Sequence, residues 1–504
     1  MPDIVLATIN AKWIHPSLAL RLLKANLGAL EPRCEILEFA LRQPLSEKTG
    51  PILAARPRIL GLSVSIWNHT ATAELLDALD LAWADEGSPD QGSTVESTPR
   101  PLIVLGGPEA STLPENAALF HHADYVIRGE GEAAFRELCE TALGSPSAPP
   151  DSLASHPDVP AAAPVPPLWS FGWAKTPSNL RSKLPGTTFI DAPQPGLGGI
   201  DPGYRLYTAE DLERKLTYVE ASRGCPFGCE FCLSSVDRQV REFPLEKFLG
   251  EMENLIARGA RSFKFLDRTF NLDMEKAARI LEFFLRHLDP GMFVHFEMVP
   301  SRIPRELQEL LARFPPGSLR IELGIQTFNP QTAALIGRVQ SDPEKELETL
   351  DFLRRETNAI VHADLIAGLP GEDLGSFAQG FDRLWTARPG EIQLGILKFL
   401  PGTPIGRHTG PFGMHYSPTP PYEVMETAAL PKVDLDRIKN FARFWELIVN
   451  RGAFPDLVSR LFPEKAPVFG PFMALSDRLL GRFGRNWGID RGALRLALEE
   501  SAGL

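Results

Sequence analysis

Residues 222–232 read Ser222-Arg223-Gly224-Cys225-Pro226-Phe227-Gly228-Cys229-Glu230-Phe231-Cys232. Three of the five cysteines fall in this stretch, in the spacing C-x3-C-x2-C. Thiolates are soft ligands that suit iron–sulfur clusters and zinc. Three thiolates this close, with no fourth beside them, point to a four-iron cluster held at three corners. The last iron is then open to a small ligand. Ferredoxin sites use four cysteines in other spacings, and structural zinc closes its shell with four ligands. Cys34 and Cys139 stand far off within apparent secondary structure, and no histidine is near in sequence. A zinc knuckle with a distant fourth ligand and a redox pair of Cys229 and Cys232 are the competing readings. The redox pair leaves Cys225 without a role.

Outward from this loop, the chain reads as a cytoplasmic α/β protein of several domains. Its 504 residues carry a net charge of −12 and 43% apolar residues. No basic tract suggests nucleic acid or a polybasic membrane patch. The chain opens directly on a strand-like run, Ile4–Ile9, without a signal-peptide pattern. No apolar run approaches the ~20 residues of a membrane helix. Five cysteines with three clustered do not make a disulfide framework, which fits a reducing compartment.

Residues 1–144 alternate apolar strands with helical periods. Strands are expected at Ile4–Ile9, Cys34–Phe39, Ile59–Ile66, Leu102–Leu105 and Tyr125–Ile127, and helices at Leu18–Leu30, Ala71–Trp83 and Glu132–Leu143. Near-continuous apolar strands between helices imply a doubly wound parallel, Rossmann-like sheet. Ligands in such sheets bind at the carboxyl ends of the strands. Ser63, Ser65, Gly106, Gly107, Gly129 and Glu130 sit there, where small residues let a flat ligand approach the backbone. Asp85–Ser93 reads as a surface insertion. Residues 145–214 read as a Pro/Ala-rich linker, with Trp169, Phe171 and Trp173 as anchors onto a domain surface.

Residues 215–405 repeat strand then helix. Strands are expected at Tyr218–Ala221, Phe263–Asp267, Phe293–Met298, Leu319–Gln326, Ile360–Ala367 and Ile392–Phe399. Six such units suggest a partial, TIM-like (β/α)6 barrel. The cysteine loop follows its first strand, at the end where barrel enzymes keep their chemistry. Residues 406–504 read as a helical domain that covers the barrel mouth or shapes a substrate pocket, with helices at Met425–Asn450, Asp456–Leu461, Ala474–Arg482 and Arg491–Glu499. Its aromatics, Phe441, Phe444 and Trp445, read as core.

C-x3-C-x-aromatic-C, with Phe231 in the aromatic place, resembles the radical S-adenosylmethionine enzymes. The resemblance implies a [4Fe-4S] cluster on Cys225, Cys229 and Cys232, with S-adenosylmethionine chelating the open iron. Reduction then splits the sulfonium and yields a 5′-deoxyadenosyl radical. Glu297, Gln326, Arg338 and Asp364, at or beyond the ends of later strands, look like the ligand-contacting residues of the oxygen-independent coproporphyrinogen oxidase group. By that resemblance Asp364 hydrogen-bonds the ribose, and Glu297, Gln326 and Arg338 hold the methionine and sulfonium end. Asp267 occupies the place of the amino-group-binding loop, although the Gly-Gly-Glu of many members is absent. For each of these residues a barrel-end salt bridge or helix cap is the plainer reading.

The polar and glycine fragments of residues 1–144 resemble the cobalamin-binding domain found ahead of many such enzymes, including the magnesium-protoporphyrin cyclase and carbon methyltransferases. The D-x-H-x-x-G motif is absent from Thr8–Ser17, and His15 in that loop is more simply a cap or packing residue. The resemblance implies a cobalamin-dependent enzyme that activates a C–H bond of a small molecule, followed by methyl transfer, ring closure or oxidation. It also implies a one-electron donor such as flavodoxin or ferredoxin. The alternatives are a radical oxidase or methylthiotransferase-like enzyme with an inert first domain, and a non-enzymatic cobalamin or cluster sensor.

Overall fold

A computed structural model describes residues 1–86, 100–144, 186–463 and 466–503. Most of the 85–93 insertion, and the anchors Trp169, Phe171 and Trp173, lie outside the described residues. The chain divides into two compact units, Met1–Thr208 and Ala209–Leu504.

The first unit is built from β1 (Ile4–Asn10), α1 (Leu18–Ala25), β2 (Cys34–Ala40), α2 (Leu45–Ala55), β3 (Ile59–Ser63), α3 (His69–Glu86), β4 (Leu102–Gly106), α4 (Pro108–Thr112), β5 (Tyr125–Arg128), α5 (Glu132–Ala142) and β6 (Thr188–Asp191). Its strands form one parallel sheet in the order β2-β1-β3-β4-β5-β6. Alternate residues of β1 serve opposite faces. Val5, Ala7 and Ile9 pack with Leu75, Leu76 and Leu79 of α3, while Ile4 and Leu6 pack with Leu20 of α1 and Phe135 of α5. The doubly wound sheet expected from the apolar runs is therefore present.

Two expectations for this unit need correcting, and one helix has no counterpart among them. The helix at Leu18–Leu30 stops at Ala25, because Asn26 turns its side chain onto Leu22 O and Gly28 adopts φ +58°. Helix α2 escaped notice because Gly50 and Pro51 break its pattern. The end of the 145–214 linker is part of the unit. β6 pairs with β5, Tyr204 and Tyr207 are buried, Asn26 and Asp201 exchange two hydrogen bonds, and Arg21 lies 4.7 Å over the Tyr207 ring.

The second unit runs through α6 (Ala209–Arg214), β7 (Thr217–Val219), β8 (Ser222–Arg223), β9 (Arg241–Glu242), α7 (Leu245–Ala257), β10 (Ser262–Phe265), α8 (Met274–His287), β11 (Phe293–Met298), α9 (Arg305–Leu311), β12 (Leu319–Gln326), α10 (Pro330–Leu335), α11 (Pro343–Glu356), β13 (Ile360–Ala367), α12 (Leu374–Ala387) and β14 (Glu391–Ile396). Six strands are parallel and stand in chain order, β7-β10-β11-β12-β13-β14. That is the order of an opened barrel, with β7 and β14 as its edges. β12 shows the division of labour: Leu319, Ile321, Leu323 and Ile325 are buried, while Arg320, Glu322, Gly324 and Gln326 between them are half-buried.

After the barrel come β15 (His415–Tyr416), β16 (Val424–Glu426), α13 (Lys432–Trp445), a π-helical turn (Glu446–Asn450), α14 (Pro455–Leu461), α15 (Phe469–Phe483) and α16 (Arg491–Ser501). The helix expected from Met425 begins at Lys432, because Pro431 starts it and Val424–Glu426 pairs with β15. Phe441, Phe444 and Trp445 are core, as expected. They bind α13 to the barrel rather than to a separate domain: Trp445 and Phe381 of α12 lie 4.8 Å apart, and Phe441 stacks on Phe469 of α15 at 4.9 Å. Asn450 gives and accepts a hydrogen bond with the backbone of Ile392, which caps the edge strand β14.

Candidate active site

The cysteine loop leaves the carboxyl end of β7 through the short hairpin of β8 and β9. Cys225 N–H donates to Asp237 O at 3.1 Å, and Cys232 N–H to Cys229 O at 3.0 Å. Cys225 and Cys229 are buried and Cys232 is partly exposed. Burial pushes the Cys225 thiol up, the Phe227 backbone N–H opposes this, and the Cys232 and Cys229 sulfurs add to the rise. A thiolate-binding metal centre replaces the protons of such thiols. Among the described residues no three acidic, cysteine or histidine side chains converge on a single ion. Thiols that each take a different iron stand further apart than the ligands of one ion.

The loop is held from behind by residues distant in sequence. Glu230 N–H donates to Ile336 O at 2.9 Å, and Ile405 N–H donates to Glu230 O at 3.0 Å. The Glu230 carboxylate accepts from His408 Nε2 at 2.8 Å and from the Arg407 guanidinium. Gln340 Nε2 donates to Cys229 Sγ at 3.1 Å. Neither His408 nor Gln340 was visible as a site residue, since no local pattern links them to the cysteines.

Asp267 stands just beyond β10, buried, but its carboxylate is engaged within the fold. It accepts from Ala221 N–H at 2.9 Å and from Ser222 Oγ at 2.5 Å, beside Lys276, whose ammonium reaches Ala221 O at 2.8 Å. Its geometry anchors the entry to the cysteine loop.

On the half-buried face of the barrel sheet, Glu297 of β11 pairs in register with Glu322 of β12, and Gly324 with Asp364 of β13. Glu322 is held down at about 2 by His295, whose Nε2 lies 3.3 Å from the carboxylate, and by Lys264, 3.5 Å away. The others go the opposite way. Burial pushes Asp364 up to about 8, with Glu322 and Glu297 adding repulsion. Asp364 Oδ1 is buried and has no hydrogen-bond partner among the described residues. Burial likewise lifts Glu297 to about 7, against the pull of Arg268 at 3.8 Å. Its side chain is 38% exposed, so solvent tempers that shift.

Gln326 ends β12 at φ +70°, after a register shift. A glutamine in the left-handed region costs ~1–2 kcal/mol, and such strain gathers at functional positions. Arg338 is buried and donates to Gly324 O, with Glu346 3.9 Å away. Phe231 is half-buried within the cysteine loop. Carboxylates short of positive charge, an orphaned acceptor and a buried guanidinium around one strand end fit a ligand with a cation, hydroxyls and a carboxylate. S-adenosylmethionine has all three.

In the first unit, Asn68 organises the carboxyl edge. It accepts from Ser65 N–H at 2.7 Å and donates to Ile9 O at 3.0 Å and to Ser63 O at 3.2 Å. Gly107 serves its own turn, since at φ +98° a Cβ would stand 2.7 Å from Val64 O. Gly106 is roomier, the nearest atom to a Cβ being Ile127 O at 3.6 Å. Gly129, at φ +86°, donates its N–H to Ser111 Oγ, and Glu130 follows it in the turn before α5. His15, in the loop after β1, is half-buried and its N–H closes a turn on Lys12 O. Sequence reading passed over Trp13 and Trp67, which are 51% and 55% exposed in the loops after β1 and β3. Those loops flank the point where the strand order reverses, where doubly wound sheets bind ligands. Exposed indole surface there fits a large flat macrocycle.

Residues 219–384 match the Radical SAM superfamily and residues 4–139 the B12 binding domain. The chain therefore carries a cobalamin-binding domain ahead of a radical S-adenosylmethionine domain. The two domains define its cofactors as a [4Fe-4S] cluster with S-adenosylmethionine, and cobalamin. It is 26% identical over 429 residues to the cobalamin-dependent radical SAM methyltransferase TokK of Streptomyces tokunonensis, covering 77% of this chain and 56% of TokK. It is 24% identical over 372 residues to the 2-(S-pantetheinyl)-carbapenam-3-carboxylate methyltransferase of Streptantibioticus cattleyicolor, covering 69% of this chain and 48% of that protein. The structure of the cobalamin-dependent S-adenosylmethionine radical enzyme OxsB, with aqua-cobalamin and S-adenosylmethionine bound, matches 100% of this chain and 76% of OxsB, with a TM-score of 0.61 at 13% identity. That likeness is one of fold. The chain spans about half the length of the curated relatives it matches. Among the described residues no helix is long and apolar enough to cross a membrane.

Proposed function

We propose that the chain methylates an unactivated carbon of a small molecule by cobalamin-dependent radical chemistry. The orphaned, proton-holding Asp364 among carboxylates, opposite Gly324 near the end of β12, is the observation that carries the reading. The methyltransferase names of two relatives support methyl transfer over oxidation or ring closure. When bound, the cofactors supply hydrogen-atom abstraction and a transferable methyl group. The protein's part is holding and orienting.

Cys225, Cys229 and Cys232 hold three irons. Asp364 accepts from the ribose hydroxyls, and Glu297 and Gln326 face the amino and sulfonium end. Arg338 takes the methionine carboxylate, for which a planar guanidinium is suited. Phe231 lines the nucleoside side. Asp267 positions the loop through Ala221 and Ser222. Ser63, Ser65, Gly106, Gly107, Gly129 and Glu130 edge the cobalamin site, with Trp13 and Trp67 offering ring surface to the corrin. A flavodoxin- or ferredoxin-class protein supplies single electrons, and the five free cysteines suit the reducing cytoplasm.

The deciding experiment is anaerobic purification, reconstitution with iron, sulfide and cobalamin, and assay of bound iron, bound cobalt and 5′-deoxyadenosine released on reduction. All three together support the reading. Iron and deoxyadenosine without cobalt would overturn the cobalamin part of it.

The raised carboxyls set a pH dependence. Asp364 holds its proton up to about 8 in the free enzyme, against about 4 in an unfolded chain. The native state then binds more protons than the unfolded state between those values, so its stability falls as pH rises through that window. Accepting from both ribose hydroxyls needs the carboxylate, so binding must draw the proton off. Affinity for S-adenosylmethionine should therefore climb between pH 6 and 8, by up to roughly tenfold per unit, and level off above. Titration calorimetry at pH 6, 7 and 8 reads this. Asp364→Asn should weaken binding ~10-fold or more at pH 8 and flatten the slope, with iron content unchanged.

A further inference from the structure

Residues 336–341 form a turn that touches the cysteine loop at three points. Ile336 O accepts from Glu230 N–H at 2.9 Å. Gly337, at φ +66°, lies so close that a Cβ there would stand 2.8 Å from Gly228 O. Gln340 closes the set with its 3.1 Å donation to Cys229 Sγ. The Gln340 backbone is itself tied down, since Ser301 Oγ donates to Gln340 O at 2.8 Å. The donor's direction is set by chemistry as well as by placement. Turning the amide over would aim its oxygen at a sulfur that carries negative charge when it binds iron. Its own Oε1 is buried and has no hydrogen-bond partner among the described residues.

We propose that Gln340 sets the reduction potential of the iron–sulfur cluster by donating a hydrogen bond to the ligand sulfur of Cys229. The proposal rests on the cluster reading above and adds a residue to it. When a cluster takes up one electron from an external donor, negative charge builds on its ligand sulfurs. An N–H aimed at one of them stabilises the reduced form more than the oxidised form, which raises the potential. The amide carries no charge of its own and does not titrate, so its effect is the same across the working pH range. Gln340 is a positioning residue rather than a catalytic one.

The test is an EPR-monitored redox titration of the reconstituted, full-length enzyme, with dithionite as reductant, with and without S-adenosylmethionine. Iron per chain and visible absorption are measured in parallel. Wild-type and Gln340→Leu should load the same iron, while the midpoint of Gln340→Leu moves to a more negative potential. Should the leucine variant fail to load, Gln340→Asn is read in its place, since it keeps an amide but withdraws the N–H by one methylene. A variant that loads fully and titrates at the wild-type potential overturns the proposal while leaving the cluster reading intact. A wild-type protein that takes up no iron and shows no EPR signal overturns both.

Discussion

Cys229→Ala should strip the protein of bound iron and of its visible absorption while the chain stays folded. Cys229 is the middle cysteine of the loop. Its carbonyl accepts from Cys232 N–H, and its sulfur accepts from Gln340 Nε2. With one thiol gone, only two anchors remain, and a cluster already open at one corner is left open at two. The other cysteines provide the control. Cys34 and Cys139 are both buried in the apolar layer that joins Ile4, Leu20 and Phe135. Burial pushes Cys34 up to about 12 and Cys139 higher still, so neither offers a thiolate. Cys139→Ala should keep full iron and cost only ~1 kcal/mol as a trimmed core residue. Iron assay and chemical denaturation of the two variants separate a ligand from a packing residue. Equal iron in Cys229→Ala and wild-type would remove Cys229 from the ligand set.

Gly224→Ala should damage the same site without touching a ligand. Gly224 has φ +89°, where alanine is strained by ~1–2 kcal/mol. The larger problem is that its Cβ would run into the backbone carbonyl of Gln239 across the β8–β9 hairpin. A side chain can swing away, but a backbone cannot. The hairpin must open, and it carries Ser222, which donates to Asp267, together with the first cysteine. We expect a loss of ~3 kcal/mol and poor iron loading. Gly259→Ala is the comparison. Gly259 has φ +102° but nothing within 4 Å of a Cβ, so it bears the strain without the collision. The difference in melting temperature and iron content between the two variants measures the collision. Similar behaviour would show that the hairpin yields.

Much of this was legible because it is written locally. The strands Phe293–Met298, Leu319–Gln326 and Ile360–Ala367 begin and end where the apolar runs do, since a strand covered by helices must be apolar on the covered face. The cysteine spacing is local too. What was not legible depends on partners far along the chain. Glu230 reads as an ordinary acidic residue until His408, 178 residues on, is brought to it. Gln340 is 111 residues from the sulfur it meets. Asp267 looked like a ligand contact because its place in the barrel was recognised, while its bonds to Ala221 and Ser222 were not readable. The C-terminal aromatics were correctly read as core, but nothing in their order says that their partner is Phe381 of a barrel helix.

The late return of β6 has a consequence for how this chain is made. In the finished sheet β6 covers the outer edge of β5, with Thr187 bonded to the carbonyl of Ala123, 64 residues earlier. A ribosome adds residues at ~5–20 per second, so the β5 edge is open for on the order of 3–13 seconds after it emerges. During that time its unpaired N–H and C=O groups can recruit a strand from a neighbouring nascent chain. Cutting the chain at residue 144 would make that interval permanent. A fragment carried through Thr208 would close it.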